Sequence, residues 1–597
     1  MNPVLQLLLC LAVFAGLILG LGLPWVASWR VAPAERLCAA ALAGVVALYL
    51  FALADYGLDL PAWARLLVPL AVLAAAGLRW QAGVALLRDP DARRLLGAWL
   101  LVAGWSLGFL ALVRNYSGGC WALDWADHYS RTLFFLHHQP VHTPLFGGDE
   151  LPTRPPLANA ATAVLLGLTR GDFPHFQIFT TLLCTLAFLP VWLFAGAFGR
   201  NAPRAQAVAT VLFMLNPSVL ENSTFAWTKL PTVAFVLTGL YFFLPALAAG
   251  SRRRLAAAFG FLAAGLLIHY SAGPYVVAIV AAYFWWRRAR WLRAAFWRDT
   301  VLCALPAVLL LATWFGWAWL AFGSRRTLLS NTSVAESTVH SWGGFIHQKS
   351  VNLLHTVVPH FLRAVDYGFI AQTSRAGFVR DWFFLLYQMN LLWIFGSIGG
   401  LTLLGLLARG ALTGRRAAGA PRGFWCWFLG ATVVLGVAVV SPFGGVDPWG
   451  LAHICLLGLL GLGLAFLAAR FDGLFRWWRL VLIVGLAMDF ALGVGLQFYL
   501  EHAALPPLEV VHATAAGPAG AGAGLPHLDY NAVQTSQWGT WVNLWNKVRN
   551  GYEFVGDWAV PPPLLLGLLA CLLGLAVSRC FGQASAAPPP GDSAPAR

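Results

Sequence analysis

Long apolar runs alternate with short polar breaks along almost the whole chain. About fifteen runs are apolar enough to predict membrane-crossing helices. They lie near 4–28, 37–54, 60–78, 95–113, 174–198, 206–220, 229–249, 255–269, 274–287, 299–322, 383–408, 424–441, 449–469, 480–499 and 558–581. A helix needs about 20 apolar residues to cross roughly 30 Å of hydrocarbon. Several runs, 274–287 among them, fall short of that, so the expected count is about 13–15. The first run has no positive segment before it and reads as a retained helix, not a cleaved leader.

Two later stretches break the pattern. The tract 513-ATAAGPAGAGAGLP-526 has the composition of a flexible linker. In 536-SQWGTWVNLWNKVRNGY-552, Trp538, Trp541, Trp545 and Val548 recur at three- or four-residue spacing. That spacing predicts an amphipathic helix lying at the membrane surface. The predicted organisation is a three-span extension (1–94) and a polar-rimmed core (95–322) with an outer loop at 114–173. A longer outer loop (323–382), further spans (383–499), an outer segment (500–557), a last span (558–581) and a disordered tail (582–597) follow.

Composition agrees with the pattern. The chain has 597 residues, 59% hydrophobic and 11% charged, against roughly 25% charged in soluble domains. The fold class is an all-α polytopic membrane protein. Positive residues concentrate in cytoplasmic loops. With the N-terminus outside, 25 of the 39 Lys and Arg fall inside and 17 of the 24 Asp and Glu fall outside. The net charge of +15 is therefore a topology signal and implies no nucleic-acid partner. Nine scattered Cys predict no disulfide framework. No Walker-type loop or GxGxxG is present, so ATP-driven transport has no support. Arg outnumbers Lys 36 to 3, which suggests a GC-rich bacterial genome, a plasma (inner) membrane and a periplasmic outer face.

The chemistry gathers on that outer face. In 118-GGCWALDWADHYSR-131, Asp124, Asp127, His128 and Arg131 stand at i, i+3, i+4 and i+7 and share one helical face. A solvated surface helix with an Asp127–Arg131 ion pair is the plain alternative. Further along, 149-DELPTRPPLANAATAVLLGL-168 predicts a helix starting at its prolines and lying along or dipping into the outer surface. Glu221, Lys229 and His269 then mark three more helix ends on the same side. Ionisable groups at membrane depth usually face a cavity or a partner. The histidines at 137-HHQPVH-142 lack zinc-site spacing. A divalent metal ion held by Asp124, Asp127 and Glu221 is the cofactor these residues would allow.

This region resembles the GT-C class of membrane glycosyltransferases, such as the protein O-mannosyltransferases and the aminoarabinose transferases of lipid A. The resemblance rests on the acidic segment after a span, the Arg-Pro-Pro-Leu at 154–157 and the many spans that follow. It covers about 95–290. It implies a GT-C-like helix bundle with extracytoplasmic surface helices. It also implies transfer of a sugar from a polyprenyl phosphate or diphosphate to a glycan, lipid or protein acceptor. Asp124 matches the catalytic acidic residue, with Asp127 and His128 in the polar places after it; a Trp follows Asp124 where a second acid is usual, so either Asp can be the base. Arg154 matches the basic residue of the surface-helix motif.

Chemistry fits that reading. A transfer needs a base for the acceptor hydroxyl and cations on the leaving phosphate. Arg154 and Lys229, then Arg131, suit the donor phosphate. His128, Glu221 and His269 suit orientation of the acceptor or an ion. A transporter or lipid flippase is the alternative; it predicts deep ionisable residues and internal symmetry, and the spans offer only Asp489 and His453 and no repeat.

Overall fold

Many helices start where an Asn, Asp or Ser meets the first turn, often with Pro just behind it. Such side chains accept from the free N–H groups of that turn, and Pro has no N–H to leave unpaired. Asn2, Asp89, Asp172, Asn201, Asn216 and Ser251 all cap in this way. Pro follows directly at 3, 90 and 217. The sequence thus punctuates an oily chain into defined rods.

The computed structural model describes residues 2–113, 124–145, 150–329, 341–357, 422–439, 453–502, 553–558 and 560–582. The predicted run at 383–408, the linker, the interfacial helix and the tail beyond Gly582 lie outside them. Among the described residues there is no strand. Every apolar run that falls within them is helical, and the chain is an all-α membrane protein by the length and composition of its helices.

Among the described residues, seven helices are long and apolar enough to cross a membrane, or eight if the bent pair Ala62–Leu78 and Trp80–Arg88, angled at 79°, is one span. Three runs give helices of only 13 to 17 residues: Ala202–Met214, Arg252–Ile268 and Gly273–Arg287. The run at 206–220 breaks at Asn216 because that residue caps a new short helix instead of continuing the old one.

Helix α1 (Pro3–Val26) and α2 (Pro33–Gly57) form a tight hairpin. At its crossing, a Cβ on Gly22 would lie 1.8 Å from the Ala40 carbonyl oxygen, and one on Gly44 would lie 1.8 Å from that of Ile18. The two backbones touch, as small residues permit between membrane helices. The first helices are no appendage. One continuous apolar core runs from Leu7 in α1 to Ala576 near the C-terminus. Residues 553–558 join it through Val555 N–H to Gln177 Oε1 (3.0 Å) and Gly556 N–H to the Val113 carbonyl (3.2 Å).

Four more helices position the site. They are α3 (Asp124–Leu136), α4 (Leu157–Gly167), α5 (Lys229–Ala249) and α6 (Arg252–Ile268). The helix expected to lie along or dip into the outer membrane surface is enclosed by the protein itself: every residue from Leu157 to Leu166 is buried. Its sequence is apolar all round, with small Ala residues on several sides. Such a helix has no face to give to water, and it packs between α2 and α3.

Charged contacts collect at the two ends of the bundle. At one end, Glu35 at the start of α2 meets Arg254 of α6 at 2.9 Å and Tyr241 of α5 at 3.2 Å. At the other, the C-terminus of α2, the N-terminus of α5 and the C-terminus of α6 bring in Asp55, Lys229 and His269. The residues chosen from the sequence sit at this second end.

Candidate functional site

Helix α3 is amphipathic in an unusual sense: both of its faces are buried. Trp125 and Tyr129 pack on Phe173 and Phe176, with Phe554 against Trp125. The opposite face carries Asp124, Asp127, His128 and Arg131, all buried. The solvated-helix alternative is therefore excluded, although its Asp127–Arg131 pair does form.

Asp124 is the centre. Its Oδ1 accepts from Arg154 Nη2 at 2.6 Å. Its Oδ2 accepts from Trp227 Nε1 at 2.5 Å and from Lys229 Nζ at 3.3 Å. Two distant segments, one at Arg154 and one at Trp227–Lys229, thus meet on one carboxylate. Burial by itself would raise that carboxyl, but the charges of Arg154 and then Lys229 outweigh it and hold it well below the usual carboxylate range. Asp124 is an anion here.

Asp127 and Arg131 form the support. Arg131 Nε donates to both Asp127 oxygens, at 2.8 and 2.9 Å. Its Nη1 donates to the Leu151 carbonyl at 2.8 Å, and its Nη2 to Thr153 Oγ1 at 2.6 Å. Those bonds clip the short turn Leu151–Thr153, which leads directly into Arg154. Arg154 Nε in turn lies 3.0 Å from Asp127 Oδ2. The sequence suggested Arg131 for the donor phosphate. Its guanidinium is spent on the protein, where it fixes the segment that carries Arg154.

His128 lies beside Arg154, with Nε2 3.4 Å from Nη1. Burial and then the Arg154 charge push its pKa well below the ordinary value, so the imidazole is neutral. Its Nδ1 is buried and has no partner among the described residues; Asn159 Nδ2 on α4 and Thr228 Oγ1 before α5 share that condition. Buried unpaired polar atoms are rare and call for an explanation. His269 caps the end of α6, accepts from Ser271 N–H at 3.1 Å, and feels the charges of Lys229, Arg154 and Asp124.

Trp227 was not singled out by sequence reasoning. Besides bonding Asp124, its ring lies under Lys229 Nζ, 2.9 Å from the centroid. The backbone just before it explains its placement. Ala226 is held at φ +61°, a left-handed conformation that non-glycine residues avoid. Such strain costs about 1 kcal/mol or more and tends to persist at functional sites. No periodicity in 224-TFAWTK-229 signals that turn.

Glu221 is not brought into the cluster. It lies on the short helix Pro217–Thr224 and is largely withdrawn from solvent. Burial pushes its carboxyl up to about 8, and no described charge contributes. A divalent ion on Asp124, Asp127 and Glu221 does not fit. Cations and an indole already cover the Asp124 oxygens, Glu221 stands apart, and among the described residues no three His, Cys, Asp or Glu side chains converge in a metal-holding group. The histidines at 137–142 have another task. His138 places Nδ1 2.8 Å from Asp59 and Nε2 3.3 Å from Asp55, tying the end of α3 to the end of α2.

Among the described residues the cluster gathers Arg131, Arg154 and Lys229 around Asp124 and Asp127. Guanidinium and ammonium groups brought together in this way suit the oxygens of an anion. No protein-family model and no curated protein sequence matches this chain.

Proposed function

We propose that the chain is an integral-membrane glycosyltransferase, moving a sugar from a polyprenyl-phosphate or diphosphate donor to an acceptor hydroxyl on the extracytoplasmic side. The observation that carries this is the pairing of one buried carboxylate with Arg154 and Lys229. A phosphate needs such cations, and a hydroxyl nucleophile needs such a carboxylate. Arg154 and Lys229 hold the donor phosphate. Asp124 takes the acceptor proton. Asp127, bonded on both oxygens to Arg131, serves mainly to position Arg154. His128, Asn159 and Thr228 offer unpaired polar atoms to hydroxyl groups of sugar or acceptor. The membrane-embedded helices around them accommodate the polyprenyl chain.

The test is Asp124→Asn, assayed for transfer from a lipid-linked sugar in membranes containing equal amounts of protein. Loss of a positioned base lowers the rate by about 10² to 10⁴. Near-normal transfer by that variant removes Asp124 from the chemistry and the proposal with it.

A further inference from the structure

The cations that suit a phosphate are already taken. Arg154 and Lys229 each bond Asp124, one on either oxygen, and Trp227 adds a third donor. A carboxylate held in that way is a poor proton acceptor, because its lone pairs already face N–H donors. The site therefore holds its own base in check.

An anion that competes for Arg154 and Lys229 would release the check. A sugar joined to a polyprenol through one phosphate is a phosphodiester and carries a single negative charge. Its oxygens compete for the donors that Asp124 now uses, and phosphate is the better match for a guanidinium fork and an ammonium. The backbone before Arg154 is clipped by Arg131, so the guanidinium can change partner without moving its segment.

We propose that Asp124 is the resident counter-ion of the phosphate site, displaced from Arg154 and Lys229 when the lipid-linked phosphate binds and only then able to accept a proton. Donor binding must therefore precede deprotonation of the acceptor. This rests on the glycosyltransferase reading. In the step itself, the acceptor O–H gives its proton to Asp124, and the acceptor oxygen bonds the anomeric carbon. The bond from that carbon to the phosphate oxygen breaks, and its electron pair leaves with the polyprenyl phosphate. The phosphate gains one negative charge as Asp124 loses one, so the net charge at the site does not change during the step.

The experiment measures binding, not turnover. The full chain in lipid nanodiscs is titrated with a polyprenyl monophosphate and, separately, with inorganic phosphate. Asp124→Asn removes the competitor and is expected to tighten polyprenyl phosphate binding by about tenfold or more. In an Arg154→Ala background the same change is expected to gain little. Unchanged or weaker binding by Asp124→Asn, or a full gain without Arg154, overturns the displacement. Inorganic phosphate is expected to bind more weakly than the lipid; equal binding overturns the assignment to a lipid-linked phosphate.

Infrared difference spectra of the wild-type protein supply a readout that needs no variant. Adding the lipid phosphate shifts a carboxylate stretching band, and binding without any shift overturns the proposal. If displacement holds while the wild type moves no sugar from any lipid-linked donor, the glycosyltransferase reading falls and the anion switch stands. If sugar moves and Asp124→Asn gains no affinity, the switch falls and the transferase reading stands.

Discussion

Two buried aspartates lie at the same end of the bundle and do opposite things. Asp55 at the end of α2 meets Arg65 at 3.0 Å, and Arg65 Nη2 donates to the Leu136 carbonyl at 2.6 Å. The arginine side chain passes Gly167, where a Cβ would sit 2.5 Å from its Cδ. One carboxylate, one guanidinium and one carbonyl close a clasp between α2 and α3. Asp124 instead receives Arg154, Lys229 and Trp227 from distant parts of the chain. The clasp joins one carboxylate to one guanidinium. The Asp124 carboxylate draws two cations and an indole N–H onto its two oxygens. A one-to-one buried pair holds structure, whereas cations converging on one carboxylate suit an anion that arrives later.

The largest effect should separate the two. Asp124→Asn is expected to cut transfer by about 10² to 10⁴ while the protein stays folded. Asp55→Asn is expected to cost about 3 kcal/mol of stability, because it strands the buried Arg65, while the folded fraction keeps its transfer rate. Thermal unfolding in detergent together with the transfer assay reads both. Equal losses of activity at matched folding would erase the distinction. Next in size, Arg154→Ala is expected to raise the donor KM by about 10²-fold, the scale of a lost charge-assisted contact near 3 kcal/mol. An unchanged KM would take Arg154 out of the phosphate site.

Trp227→Phe keeps a ring for Lys229 and removes only the N–H that Asp124 accepts. Transfer should fall by about tenfold, from a lost hydrogen bond to a charged group of about 1.5 kcal/mol. The smallest effect concerns Glu221. Its carboxyl is raised from an ordinary value of 4.5 to about 8 by burial. Between those values the unfolded chain has lost its proton and the folded chain keeps it. Stability from this group is thus full below pH 4.5 and declines as pH rises to about 8. Glu221→Gln should flatten that decline in a melting-temperature profile. A profile that matches the wild type would show that Glu221 is not held protonated.

Much of this was legible in the amino-acid sequence. Apolar length located the helices, and Asn-Pro and Asp-Pro pairs marked several starts. Helical spacing put Asp124, Asp127, His128 and Arg131 on one face, and the neighbouring helix ends pointed to Arg154, Lys229 and His269. The rest depended on contacts that no local pattern encodes. Trp227 reaches Asp124 only because Ala226 adopts a left-handed turn. Arg131 looked free for a ligand because its carbonyl partners at 150–151 carry no side-chain signal. The helix at 157–167 seemed too short for anything but the surface, since burial on all sides is a property of its neighbours. Glu221 shared the outer side with the cluster, but its helix directs it elsewhere.

The hairpin of α1 and α2 has a further consequence, in time. Its backbone-to-backbone contact at Gly22 and Gly44 lies within the first 57 residues. It can form as soon as that piece has entered the bilayer, long before Asp124 or Lys229 is synthesised, because contacts close in sequence form first. The hairpin then offers later helices a finished surface to assemble upon. A bulky residue at Gly44 would leave every site residue intact and still lower the yield of inserted protein, a defect of biogenesis with no trace in the chemistry.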